Sequence, residues 1–174
     1  VKSPLYLKTF APQQKTMSIL SVRGFCKYIE GNIIHDYNTN FNIVDDIDIS
    51  KLISCKPSII SITTFIEGLF ESTIIRYEYF EEVILYVINS LNYLKTKGIY
   101  LNNLNSHRLI LILLLLACKI SDDEPYVNSE WAKLIGLTIK ELNDMEVSIL
   151  KLFKFDLLII ISHQKALSIC KSIY

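Results

Sequence analysis

Ten consecutive apolar residues, Leu109–Cys118, stand between Arg108 and Lys119. A membrane span needs about twenty such residues, so this run is half the required length. Asn105 or Ser106 precedes it as a candidate helix cap. A helix that is apolar on every side has no face for water, so other elements must enclose it. The run therefore predicts a central helix with the rest of the chain wrapped around it.

The flanking segments repeat the helical period rather than the two-residue period of strands. Residues 14–29 place Met17, Leu20, Phe25, Tyr28 and Ile29 on an imperfect amphipathic helix. Residues 31–50 carry Asn, Asp and Thr clusters and read as a connector. Pro57 suits the first turn of a helix running to about Ile75, with Gly68 a weak point inside it. Glu81 and Glu82 open a further helix to about Lys95, closed by Gly98. Asn128 is expected to cap a short helix over 129–135, ended by Gly136. Thr138 and Glu141 have capping-box spacing ahead of a stripe of Leu142, Met145, Ile149, Leu150 and Phe153. A last helix is expected from about Ser162. No strand alternation is visible, and the expectation is an all-α bundle around the apolar helix.

Charge and composition narrow the function. The 174 residues are 51% hydrophobic and 21% charged, enough apolar material for a core. Lys plus Arg equals Asp plus Glu at 18 each. That balance disfavours a nucleic-acid binder and a polybasic membrane surface. Cys26, Cys55, Cys118 and Cys170 are scattered, with neither disulfide-framework nor zinc spacing. Val1–Phe10 lacks a signal-peptide layout, and an intracellular location, nucleus or cytoplasm, is expected.

Candidate chemistry is sparse. There is no Gly-rich phosphate loop and no nucleophile elbow. His107-Arg108 echoes a kinase catalytic loop, but Leu109 stands where the base would be. The acids Asp45, Asp46 and Asp48, and likewise Asp122, Asp123 and Glu124, read as solvated loops. No catalytic residue, metal ligand, cofactor or small-molecule substrate is implied. One pair carries physical tension. Glu146 lies about 40° around its helix from Leu142 and about 60° from Ile149, on an apolar stripe. A carboxylate there needs a partner. Lys119 ends the fully apolar helix at an equally enclosed boundary. The two are expected as a structural ion pair, as two side chains that snorkel separately to water, or as a pair at the rim of a docking site.

Residues 101–159 resemble the cyclin box of the P-type, or U-type, cyclins. Leu-Asn-x-Leu-Asn-x-His-Arg-Leu opens the stretch at Leu101, and Ala-x-Lys-x-x-Asp-Asp-x-x-Tyr-x-Asn covers Ala117–Asn128. Trp131-Ala132-Lys133 and Gly136 follow, then Glu141-Leu142-Asn143 with Glu146, and Phe153-x-Phe155-x-Leu157. The likeness weakens across 62–94. It implies a five-helix bundle around a central third helix, spanning 57–159, with an N-terminal helix and connector over 1–56 and a C-terminal helix over 160–174.

The resemblance also implies a non-catalytic regulatory subunit that binds and activates a cyclin-dependent protein kinase by docking on its regulatory helix. Lys119 and Glu146 match the charged pair that holds that helix. Ile120, Leu150, Phe155 and Leu157 match positions lining the apolar docking surface, with core packing as the plainer role for these four. The Met-Arg-Ala-Ile-Leu motif with which many cell-cycle cyclins recruit substrates is missing from 58–70. Val87-Ile88-Asn89-Ser90 stands where relatives often carry Tyr-Ile-Asp-Arg. The alternatives are a cyclin-fold adaptor without kinase activation, or a transcription-factor-like binding module.

Overall fold

The structure, a computed structural model, describes residues 22–35 and 43–157. The expected helix from Ser162, Cys170 and the stretch 14–21 lie outside the described residues. Helix α1 covers 22–31. A two-strand antiparallel hairpin follows, β1 (Ile43–Val44) with β2 (Ile47–Asp48). Then come α2 (Ile62–Glu71), α3 (Phe80–Thr96), α4 (Ser106–Ser121), α5 (Asn128–Ile135) and α6 (Ile139–Leu152). The architecture is all-α.

Helix α4 is the axis. Every residue from Leu109 to Cys118 is buried, none more than 5% exposed. Its main neighbour is α3, which turns Val83, Ile84, Val87, Ile88, Leu91 and Leu94 inward. Helices α6 and α2 cover its other sides. From α6 come Leu142, Met145, Ile149 and Leu152, and from α2 come Ile66, Leu69 and Phe70. Helix α5 packs on α6 and buries Trp131 completely. Helix α1 contributes Phe25, Cys26 and Ile29 to the same core. Burial pushes the thiols of Cys26 and Cys118 up to about 12, so both stay protonated. No helix among the described residues is long and apolar enough to cross a membrane.

Several local expectations need correction. The connector contains the hairpin, although no strand was expected. Its two-residue strands are too short for alternation to show, and it closes through Asp45 and Asp46 at φ 49° and 62°. Helix α2 starts at Ile62, not at Pro57. The Ser61 hydroxyl accepts from the Thr64 N–H and caps it. It also ends at Glu71, short of Ile75, where Ser72 and Thr73 (φ 65°) turn the chain. Asn105 precedes α4 but its side chain does not cap it. The Asn102 side-chain oxygen accepts from the Leu104 and Asn105 N–H groups and so holds the turn that leads into α4. Thr138 caps α6 as expected, accepting from the Glu141 N–H. The Glu141 carboxylate does not complete the box and instead meets Arg108 at 2.6 Å.

The α4–α5 loop also differs from its reading as wholly solvated. Asp122 is 8% exposed. Its Oδ1 accepts from Arg76 at 3.1 Å and from the Glu124 N–H at 2.9 Å. Arg76 also donates to the Glu124 carbonyl and lies over the Tyr126 ring, 5.8 Å from its centre. A buried carboxylate needs such a cation. Arg76, four residues ahead of α3, therefore fixes the loop that follows α4.

Candidate functional site

Two helix ends and one loop build the site. Helix α4 finishes in Lys119-Ile120-Ser121 and leaves its last turn at the edge of the core. Helix α6 passes beside it and presents Glu146 on the flank of its buried stripe. Lys119 Nζ and Glu146 Oε1 are 2.6 Å apart. Their side chains are 32% and 13% exposed, so the pair is partly desolvated and reaches water mainly through the lysine. A charge-assisted bond of that length in a half-dry setting is stronger than a surface ion pair.

The second carboxylate oxygen is also held. Asn128, the first residue of α5, donates from Nδ2 to Glu146 Oε2 at 2.7 Å and to Asn143 Oδ1 at 2.7 Å. Sequence spacing marks Asn128 as a helix cap, but that is not its task. Val127 occupies the cap position, and Glu130 Oε2 accepts from the Val127 N–H. The Asn128 side chain is thereby free to reach α6. Only its place in the Tyr-x-Asn motif signalled importance beyond capping.

The four apolar residues that the resemblance assigns to docking divide into two kinds. Ile120 is 42% exposed and Phe155 is 67% exposed, so neither is a core residue. Leu150, one helical turn beyond Glu146, is half-buried and packs on the core, as does Leu157. The Phe155 N–H donates to the Leu150 carbonyl at 2.8 Å, which ties the exposed ring to that turn. Lys154 and Phe155 have φ of 52° and 57°, a conformation that side-chain-bearing residues adopt at a cost. Val127, Ile139 and Val147 add further exposed apolar surface. An open depression of about 570 Å³ lies here, lined by Lys119, Val127, Asn128, Ile139 and Asn143 among others. Among the described residues, no three His, Cys, Asp or Glu side chains gather as a metal site.

Comparison with known proteins decides the family. The cyclin family model matches residues 21–157, well over half of the chain. The chain belongs to the cyclin family. The matched stretch begins upstream of residue 57 and takes in α1 and the hairpin. Two similar relatives are Cyclin-U3-1 and Cyclin-U4-3 of Arabidopsis thaliana. The first is 33% identical over 101 residues, covering 58% of this chain and 44% of the relative. The second is 32% identical over 107 residues, covering 62% and 48%. The chain thus spans about half the length of the curated relatives it matches, and its similarity is to the U-type cyclins. Family membership supports a regulatory role. The departure at 87–90 also has a physical reason here: Asn89 is 3% exposed on α3. An amide tolerates that burial better than a carboxylate would.

Proposed function

We propose that this cyclin is a non-catalytic subunit that binds a cyclin-dependent protein kinase through the face around Lys119 and Glu146, and activates it. The observation that carries the reading is the 2.6 Å ion pair between the last turn of the enclosed helix α4 and the flank of α6, with Ile120 exposed next to Lys119 in the chain and Phe155 exposed just past the end of α6. Those two side chains expose apolar surface that the chain's own core leaves uncovered, and a partner helix would remove it from water. The pair supplies orientation. Lys119 can donate to a backbone carbonyl at the end of a partner helix, and the Glu146 carboxylate can accept from backbone N–H groups.

Activation follows from differential binding. A kinase is competent when its regulatory helix turns inward and a glutamate on it meets the catalytic lysine. A cyclin that binds the inward state more tightly shifts that equilibrium. Moving it from 1:99 to 99:1 takes about 5.5 kcal/mol of differential affinity. A few well-placed anchors can supply this, because a handful of residues carries most of the energy of an interface. The chain would act inside the cell, where such kinases work. The test is affinity purification of the chain from its native cell with identification of co-purifying kinases. A cyclin-dependent kinase that is retained by the wild type and lost with Lys119→Ala supports the reading. Recovery of no kinase, or equal recovery with the variant, contradicts it.

A further inference from the structure

The Glu146 carboxylate has two oxygens and two different jobs. Oε1 meets Lys119 at 2.6 Å, while Oε2 accepts from Asn128 Nδ2 at 2.7 Å. The same Asn128 Nδ2 also donates to Asn143 Oδ1 on α6 at 2.7 Å. Both of its amide hydrogens therefore point at α6, and the orientation of the amide follows, because the flipped group would set an oxygen against Glu146 Oε2 and Asn143 Oδ1. A glutamate side chain has three rotatable bonds, and one salt bridge to a flexible lysine fixes few of them. A second bond, from a helix terminus held by Trp131 in the core, fixes the plane of the carboxylate.

We infer that Asn128 is a positioning residue for the docking pair: it holds the Glu146 carboxylate in the plane that Lys119 and a kinase backbone both require. This rests on the docking role proposed above and extends it to a residue that the family resemblance did not assign. It also accounts for why α5 starts at Asn128 and leaves the capping to Glu130. The α5 terminus is used as a brace for α6, and the depression lined by Asn128, Asn143 and Lys119 is the outer wall of that brace.

The test is a double-mutant cycle of Asn128→Ala with Glu146→Gln, read in two ways on the whole chain. The first reading is urea unfolding, with no kinase present. The two substitutions should couple, so that Asn128→Ala destabilises the wild type more than it destabilises the Glu146→Gln background. The second reading is affinity for a purified cyclin-dependent kinase by calorimetry. Asn128→Ala should weaken wild-type binding about tenfold, the scale of one lost hydrogen bond to a charged group. It should add little once Glu146→Gln is present, which a generally loosened fold would not reproduce. Asn128→Asp is the second variant. It keeps the size of the side chain but sets a carboxylate against Glu146, and should bind at least as weakly as Asn128→Ala. Independent, additive effects in unfolding overturn the inference, as does an equal loss of affinity in both backgrounds. If the cycle couples in unfolding but Glu146→Gln binds the kinase as wild type does, the brace exists and the docking role fails with this use of it.

Discussion

Arg76→Ala tests whether the loop between α4 and α5 is held from a distance, and the structure sets the size of the effect. Arg76 is 34% exposed at its side chain, while its partner Asp122 is 5% exposed. Truncating one member of a fully buried pair costs about 3–5 kcal/mol. Arg76 is a third exposed, so solvent already screens part of its contribution. Asp122 also keeps the Glu124 N–H, at 2.9 Å, after the arginine is gone. The expected loss is therefore about 1.5–3 kcal/mol, between the exposed and buried limits. For a domain of this size that lowers Tm by about 3–12 °C. Urea unfolding followed by circular dichroism gives the energy, and amide exchange over 122–130 locates it, since Val127 and Asn128 lie just beyond the tethered turn. Asp122→Asn should cost less, because it removes the charge that needs the arginine. The reasoning is refuted if Arg76→Ala unfolds at the same urea concentration as the wild type, or if exchange rises evenly throughout the chain.

Three further outcomes are expected. Leu113→Ala, at a wholly buried position of α4, should cost about 2.7–5 kcal/mol in urea unfolding, as core leucines generally do. Phe155→Gly should leave stability within about 0.5 kcal/mol of the wild type or raise it, because a positive φ suits glycine, while calorimetry with a cyclin-dependent kinase shows weaker binding. His107 donates from Nε2 to the Ile60 carbonyl at 2.8 Å, and its burial lowers its pKa below the ordinary 6.5. The unfolded chain then binds the proton more readily than the folded one, so this contribution is full above pH 6.5 and is lost as pH falls through the lower folded value. A urea-unfolding series from pH 7.5 to 5 should show a drop in stability that is smaller in His107→Gln.

The apolar run of α4 made the architecture legible, because a rod without a polar side admits only an enclosed position. The Lys119–Glu146 contact was legible for a related reason. A carboxylate beside Leu142 and Ile149 needs a cation or a path to water, and the resemblance over 101–159 pointed to Lys119 as its partner. Helix starts were read less well, because several residues compete as caps within a few positions. Pro57 looked like a start, but Ser61 has the hydroxyl that accepts the Thr64 N–H. Asn128 looked like a cap, but Glu130 serves Val127 and leaves Asn128 for Glu146. The Arg76–Asp122 and Arg108–Glu141 pairs were not foreseen. Their members lie 46 and 33 residues apart, and no local spacing predicts which arginine meets which acid. Exposure of Ile120 and Phe155 was equally hidden, since hydrophobicity alone does not tell a core residue from one left for a partner.

The most direct measurement of the account is phosphate transfer by a purified cyclin-dependent kinase titrated with wild-type chain and with Glu146→Ala, at a temperature where both are folded. The account predicts saturable activation by the wild type. With Glu146→Ala the half-saturating concentration should rise by a factor of at least about 30, corresponding to about 2 kcal/mol or more of lost docking energy. Activation by both proteins at the same concentration would contradict it.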